Sequence, residues 1–190
     1  RARALGLTVP IGEVSEASAA TGLFPQALPV LPVAGLGPVM AGRPEEAAVP
    51  AVKQSIERAV SLVQKGAARA VVTNPISKAV LYGAGFPFPG HTEYLAALAS
   101  AKGAPLHPVM MLASSTLKVV PVTIHIPFKD VPRLLTRDLI LANIEITASG
   151  LRRYFGLKRP RLAVSGLNPH AGEEGSSGRE EIDIIIHALE

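Results

Sequence analysis

The sequence has 190 residues, 48% of them hydrophobic and 18% charged, which is enough apolar material for a packed core and excludes a disordered tail. The formal net charge is +4, but the basic residues are scattered and only three Tyr and five Phe are present to stack on bases, which argues against a nucleic-acid binder. The absence of Cys excludes disulfides and thiolate ligands, so any metal ion must be bound by His and carboxylates.

Residues 17–42 carry no charged side chain, a length that raises the question of a membrane span. Several prolines and glycines, among them Pro25, Pro29 and Pro32, would interrupt a spanning helix repeatedly. We therefore predict short buried strands and turns here and no membrane span. No signal peptide is visible, and the chain begins with Arg1.

The next segment favours an α/β fold class. Apolar side chains recur at helical spacing between residues 47 and 65, and Gly66 follows as a stop signal, which predicts an amphipathic helix. Residues 68–73 form an apolar, β-branched run typical of a buried parallel strand. Ser77 is then placed to cap a short helix that closes at residues 83–85.

The second half predicts a mixture of helices and strands. We expect a helix over residues 92–102, a hairpin of strands 109–112 and 117–124, a long helix over 138–155, a strand at 161–165 and a final helix over 179–189. The apolar face of that final helix is predicted to contain Ile182, Ile185, Ile186 and Leu189. A glycine-rich polar loop, residues 166–178, precedes it.

Three histidines lie where an element meets a loop. His125 and His170 each follow a predicted strand, where neutral imidazoles suit a divalent metal, although their spacing of 45 residues matches no local ligand motif and favours structural hydrogen-bonding histidines. His91 and Thr92 open a predicted helix, whose first amides favour an anion; the alternative is a simple cap beside a surface histidine. His107 and His187 have no companion pattern and are assigned structural roles.

The loop 166–178 permits two interpretations. Its backbone amides can surround a phosphate or a cofactor, although the four glutamates at positions 173, 174, 180 and 181 would repel an anion unless a metal or Arg179 offsets them. Alternatively it is a solvated connection whose carboxylates favour the start of the next helix. No G-x-G-x-x-G or G-x-x-x-x-G-K-[ST] motif occurs, so a standard Rossmann or P-loop site is not supported.

Three segments in order carry a family resemblance: VVTNPISKAVLYGAGFPFPGHTEYLA, VTIHIPFKDVP and RLAVSGLNPHAGEEGSSGREE. Together they resemble the signature segments of the 4-hydroxythreonine-4-phosphate dehydrogenase family of pyridoxal phosphate biosynthesis. The resemblance implies that His91 and Thr92 bind substrate and that His125 and His170 bind a divalent metal, namely zinc, magnesium or cobalt. It leaves the catalytic and cofactor-binding residues unknown.

The resemblance also implies a fold and a reaction. The fold would be similar to that of isocitrate and isopropylmalate dehydrogenases: two α/β domains with the active site in their cleft, completed by a homodimer in the cytoplasm. The reaction would be metal-dependent, NAD- or NADP-linked oxidation and decarboxylation of the phosphorylated hydroxy acid. We expect residues 1–87 to belong to the first domain and residues 88–190 to form the second.

The chain also departs from the family pattern. A Gly-Asp-Pro opening segment and a later Tyr-His-Asp-Gln segment with a third metal-binding histidine are not present, so the chain resembles an interior fragment. Two alternatives follow. One is a related dehydrogenase acting on threonate or erythronate 4-phosphate or on an aromatic dihydrodiol, and the other is a catalytically silent scaffold fragment.

Overall fold

The computed structural model describes residues 5–35, 37, 39–40, 42–100 and 105–190. The chain divides into two compact units, Arg1–Leu106 and His107–Glu190. The expected domain boundary between residues 87 and 88 falls inside the first unit, where the rings of Phe86 and Phe88 lie 5.3 Å apart. The assignment of residues 1–87 and 88–190 to two domains stays a prediction.

The first unit combines a small parallel sheet with helices. Its elements are β1 (Ile11–Glu13), α1 (Ala20–Leu23), β2 (Leu28–Val30), α2 (Val49–Gln64), α3 (Lys78–Gly83) and α4 (His91–Ala99). Strands β1 and β2 pair in parallel, with Ile11 opposite Leu28. The 3-10 turns Ala17–Ala19 and Glu46–Ala48 lead into α1 and α2. The expectation of buried strands in residues 17–42 was wrong: β2 is the strand found among the described residues there, and none of their side chains is buried.

Aromatic rings form the core of the first unit. Tyr94 from α4 packs edge-on against Phe86 with the ring centroids 5.0 Å apart, and Phe88 lies 5.1 Å from Tyr94. Val49 of α2 and Leu81 of α3 complete the buried cluster. Helix α2 confirms the predicted amphipathic helix, and Gly66 follows it with a φ of 74° that favours glycine. Apolar faces of three helices thus meet at one centre.

The predicted buried strand at residues 68–73 is not formed. Residues 70–77 have no regular secondary structure, and the side chain of Val72 is 96% exposed. A β-branched run becomes a strand only when a neighbouring strand satisfies its backbone groups, and β1 and β2 pair with each other. Ser77 does precede α3 in an extended conformation, but its side chain makes no capping hydrogen bond.

The second unit is built on one long helix. Its elements are the antiparallel hairpin β3 (Leu112–Ala113) and β4 (Lys118–Val119), helices α5 (Val131–Leu134) and α6 (Arg137–Phe155), and a terminal helix that runs as a π turn, Glu181–Ile185, into a 3-10 turn, Ile186–Ala188. Two further 3-10 turns are Phe128–Asp130 and Glu173–Gly175. The hairpin is shorter than predicted, and the predicted strand at 161–165 is not formed.

None of the helices in the described ranges is both long and apolar enough to cross a membrane.

Helix α6 confirms its prediction because both ends carry standard signals. The hydroxyl of Thr136 accepts a hydrogen bond from the amide of Leu139 at 3.2 Å, and Gly156 ends the helix with a φ of 70°. Ile140 is 1% exposed and forms a buried cluster with Leu135 and two residues of the terminal helix, Ile185 and Ala188. Helix α6 and the terminal helix therefore share one core.

The predicted apolar face of the terminal helix was wrong in part. Its buried residues are Glu181, Ile185 and Ala188, whereas Ile186 is 48% exposed and Leu189 is 54% exposed. The buried residues are spaced by four and three positions, so the helical face that is buried is neighbouring to the predicted one and shares only Ile185 with it. A glutamate consequently points inwards.

Tyr94 supplies a test of the first core. Its hydroxyl donates to Glu57 at 2.7 Å, and burial together with that carboxylate raises the pKa of Tyr94 well above its usual 10. We expect Tyr94→Phe to lower the free energy of unfolding by about 1 kcal/mol, because a partly buried hydrogen bond to a charged acceptor is lost. Urea denaturation measures this, and Tyr154→Phe, at a residue 74% exposed, is the control. Equal effects of the two substitutions would contradict the prediction.

Candidate functional site

Unusual backbone occurs at one predicted metal ligand and next to the other. In the described part of the chain, four residues other than glycine have φ angles in the left-handed region: His125 at 58°, Ala171 at 50°, Glu173 at 45° and Glu174 at 58°. One is a predicted ligand, and the other three directly follow His170, the second predicted ligand. Such conformations cost free energy and are concentrated at functional sites. The backbone thus marks the same two places as the histidines.

The loop around His170 is held by its own hydrogen bonds. The side-chain oxygen of Asn168 accepts from the His170 amide at 2.8 Å, and the Asn168 carbonyl accepts from the Ala171 amide at 2.9 Å. The Glu173 amide donates to the His170 carbonyl at 3.1 Å. These bonds fix the backbone while leaving the imidazole free, since the His170 side chain is 74% exposed.

Glu173 lies beside the His170 ring. Its Oε1 atom is 3.4 Å from His170 Nδ1, and its side chain is 57% exposed. In metal sites a carboxylate commonly orients a histidine through one ring nitrogen so that the other nitrogen can bind the ion. The pair has the right groups for that arrangement, with Nε2 as the ligand atom.

His125 and His170 are of the side-chain type that binds a divalent metal, but two histidines are fewer ligands than such an ion requires. His125 and His170 are exposed imidazoles, which zinc and cobalt accept as ligands. Over the ranges the structure describes, three or more His, Asp or Glu side chains are nowhere grouped closely enough to hold an ion. These residues therefore offer ligands for a metal without forming a closed set.

Glu181 is a residue that the sequence did not single out. It is 6% exposed, and its Oε1 atom accepts a hydrogen bond from the Asn168 amide at 2.8 Å. This bond lowers the pKa of Glu181 below the usual 4.5. The signal for it was present in the sequence: Glu181 stands four and seven residues before Ile185 and Ala188, so it belongs to their helical face.

His91 and Thr92 begin helix α4, as predicted. Gly90 precedes them in an extended conformation, and the hydroxyl of Tyr82 donates to the Pro89 carbonyl at 2.7 Å, which holds the loop leading into the helix. The Nε2 atom of His91 is buried, and no group in the described ranges makes a hydrogen bond to it. A buried polar atom of this kind, at a helix N-terminus, suits an anionic ligand.

The charges near Gly90 are mixed. A Cβ atom placed on Gly90 would lie 2.9 Å from the Oε2 atom of Glu93 and 3.5 Å from the Nζ atom of Lys78. Glycine at this position lets both side chains approach the start of the helix. The ammonium group of Lys78 favours an anion here, and the carboxylate of Glu93 opposes one.

The two histidines expected to be structural remain outside these sites. The Nε2 atom of His107 lies 3.3 Å from the side-chain nitrogen of Asn143, a buried residue of α6. His187, in the terminal 3-10 turn, lies 3.3 Å from Glu190. Both contacts are within the second unit; the partner of His107 is buried, whereas the His187 side chain is 57% exposed.

Comparison with known proteins identifies similar chains. A family model described as pyridoxal phosphate biosynthetic protein PdxA matches residues 1–190. Proteins named 4-hydroxythreonine-4-phosphate dehydrogenase from Xanthobacter autotrophicus and Methylorubrum extorquens are 51% and 53% identical over 100% and 97% of this chain, and each match covers 54% of the relative. The chain therefore spans about half the length of these relatives.

Solved structures agree with this comparison. The crystal structure of a 4-hydroxythreonine-4-phosphate dehydrogenase from Burkholderia phymatum superposes with a TM-score of 0.82 at 36% identity, covering 99% of this chain and 56% of that one. A terephthalate 1,2-cis-dihydrodiol dehydrogenase from Burkholderia xenovorans superposes with a TM-score of 0.60 at 22% identity, covering 97% of this chain and 55% of that one. The second likeness shows a shared fold alone.

The lowered pKa of Glu181 predicts acid sensitivity. A carboxylate with a folded-state pKa below its unfolded value binds fewer protons when folded, so its stabilising effect is complete above about pH 4.5 and is lost as the pH falls through the folded value. We expect Glu181→Gln to flatten the dependence of unfolding free energy on pH below about 4.5. Urea denaturation at a series of acidic pH values tests this. A wild-type slope retained in the variant would contradict the assignment.

Proposed function

Because the chain belongs to the family of the pyridoxal phosphate biosynthetic protein PdxA, we propose that it acts in a metal-dependent, NAD- or NADP-linked dehydrogenase. The substrate proposed is 4-hydroxythreonine 4-phosphate, which is oxidised and decarboxylated. Support comes from relatives named for that activity at 51% and 53% identity. The observation that carries the proposal is that left-handed backbone occurs at one motif histidine, His125, and at Ala171, Glu173 and Glu174, which follow the other, His170.

On this proposal His125 and His170 bind a divalent cation: zinc, magnesium or cobalt. When bound, such an ion polarises the substrate hydroxyl and stabilises negative charge on oxygen during oxidation and loss of carbon dioxide. The protein's part is to keep both imidazoles exposed on fixed backbone. The Asn168 turn does this for His170, and Glu173 is placed to orient its ring.

His91 and Thr92 are proposed to bind the phosphorylated substrate. The first amides of α4 have no helical partners and point towards an approaching anion, and Lys78 lies near Gly90 at the same end. The Nε2 atom of His91 is buried without a hydrogen-bond partner in the described ranges, and on this proposal a substrate oxygen supplies that partner. Helix α4 thereby contributes binding and orientation, which lower the barrier by fixing the reacting group.

The remaining family features are part of the same proposal. They are a two-domain fold similar to that of isocitrate dehydrogenase, a homodimer and a cytoplasmic location. A nicotinamide cofactor supplies the hydride acceptor. The absence of a G-x-G-x-x-G motif is consistent with a fold of that type, whose cofactor site does not use the usual Rossmann fingerprint.

Metal binding is the first test. We expect calorimetry at neutral pH to detect specific binding of Zn²⁺ or Co²⁺, and the double variant His125→Ala, His170→Ala to weaken it by about 100-fold, since both proposed ligands are removed. The matched control is His187→Ala, which removes an exposed histidine of the same unit and should leave affinity unchanged. Circular dichroism confirms that each variant is folded. Undiminished binding by the double variant would overturn the ligand assignment.

Turnover separates the proposed substrate from its alternatives. We expect a protein containing this sequence to reduce NAD or NADP with 4-hydroxythreonine 4-phosphate, as followed by absorbance of the reduced nicotinamide. Threonate 4-phosphate, erythronate 4-phosphate and an aromatic dihydrodiol are the comparison substrates. Faster turnover of any of these would replace the proposed substrate, and metal binding without turnover of any would favour a silent scaffold.

A further inference from the structure

The geometry points to Glu181 as a positioning residue for His170. We propose that its buried carboxylate fixes the turn from Asn168 to Gly172, which presents the imidazole to the cation. The inference rests on the proposed function, because that proposal assigns His170 to the metal. It adds a residue from a different element, the terminal helix, that touches neither metal nor substrate.

The first argument is the burial of Glu181. A carboxylate in the opening turn of a helix ordinarily stays in water, where it interacts with the helix dipole. Glu181 is instead 6% exposed, in the same helical face as Ile185 and Ala188. Burying a carboxylate costs free energy unless hydrogen bonds compensate. The position of this side chain therefore depends on the donors that it meets.

The second argument is the path of hydrogen bonds to His170. Glu181 Oε1 accepts from the Asn168 amide at 2.8 Å, and the Asn168 side chain accepts from the His170 amide at 2.8 Å. The same side chain donates to the Ser177 carbonyl at 3.1 Å, which ties the two ends of the loop together. Asn168 is thus held at its backbone by the terminal helix, and it in turn holds the backbone of His170.

The third argument is steric fit around the carboxylate. A Cβ atom on Gly166 would lie 3.1 Å from Glu181 Oε1, and one on Gly172 would lie 3.1 Å from Oε2 and 2.5 Å from the Gly178 carbonyl oxygen. Gly172 has a φ of 72°, which an L side chain rarely adopts. The loop approaches the carboxylate closely on both sides because these two positions are glycine.

The two carboxylate oxygens of Glu181 differ in their hydrogen bonding. Glu181 Oε2 is buried, and no donor within the described ranges reaches it. The hydrogen bond that Oε1 accepts from Asn168 is therefore the bond by which Glu181 fixes the loop. A glutamine side chain retains one acceptor oxygen of the same reach, whereas alanine retains none. This difference distinguishes a hydrogen-bonding role from simple filling of space.

The test compares Glu181→Ala and Glu181→Gln with wild type, using Glu180→Gln as the neighbouring control. Amide hydrogen exchange by NMR on the metal-free chain reports the turn directly. We expect Glu181→Ala to accelerate exchange of the Asn168 amide on the order of 10-fold, and Glu181→Gln and the control to leave it near the wild-type rate. If Glu181→Ala does not fold, Glu181→Asp, which is one methylene shorter, takes its place.

Affinity for Co²⁺ then tests the link to His170. We expect Glu181→Ala to weaken binding on the order of 10-fold in the chain with His170 and to have no further effect in a His170→Ala background. Glu181→Gln should restore affinity, and the visible spectrum of bound Co²⁺ should match that of wild type. Loss of affinity that is equal in both backgrounds, or a glutamine variant that behaves like alanine, overturns the positioning role.

The failures of the two proposals are distinguishable. A wild-type chain that binds no Co²⁺ contradicts the metal assignment in the proposed function, whatever Glu181 does. An Asn168 exchange rate that is unchanged in Glu181→Ala contradicts the role of Glu181, whatever the metal affinity is. Accelerated exchange with unchanged affinity shows that the turn is merely structural and overturns the proposal.

Discussion

A buried carboxylate has to be satisfied by hydrogen bonds, and in the second unit this requirement links the terminal helix to the loop that contains His170. Glu181 is buried on the same helical face as Ile185 and Ala188, and it accepts a hydrogen bond from the Asn168 amide. The remaining geometry of the loop follows from that anchor. Glycines at 166 and 172 permit the approach, and Asn168 closes the turn onto His170. Helix packing and site geometry are thus set by one interaction.

In the first unit, apolar packing and not a hydrogen bond anchors the start of a helix. Its aromatic cluster places Tyr94 at the centre, and Tyr94 belongs to the same helix that opens with His91 and Thr92. Packing of that ring against Phe86 and Phe88 fixes where the helix begins, and so fixes the direction of its first amides. In both units, therefore, a histidine that we propose as a site residue is held by residues that lie one helix turn or one loop away.

Much of the secondary structure was predictable because the signals are local. Helix α2 was predicted from apolar spacing, and the predicted helix 138–155 agrees with α6, whose ends carry the local signals Thr136 and Gly156. The strands at 68–73 and 161–165 were not, because a strand depends on a partner that sequence spacing does not reveal, and Val72 remains exposed without one. The terminal helix buries Glu181, Ile185 and Ala188 instead of the predicted apolar face, because which of two neighbouring helical faces is buried depends on what the helix packs against. The helix predicted over 92–102 starts at His91 and ends at Ala99, and residues 101 and 102 lie outside the described ranges.

The sequence by itself determined the α/β class, the long helices and, through three ordered motifs, the family, and it singled out the histidines that we propose as site residues. These properties depend on residue types and short spacings, which are written in the chain. Only the tertiary structure decided that His125 and the residues after His170 adopt left-handed backbone, and that Glu181 is buried against Asn168. Burial and strain depend on which distant segments meet, and Asn168 and Glu181 lie 13 positions apart in the sequence, so that their contact forms only on folding.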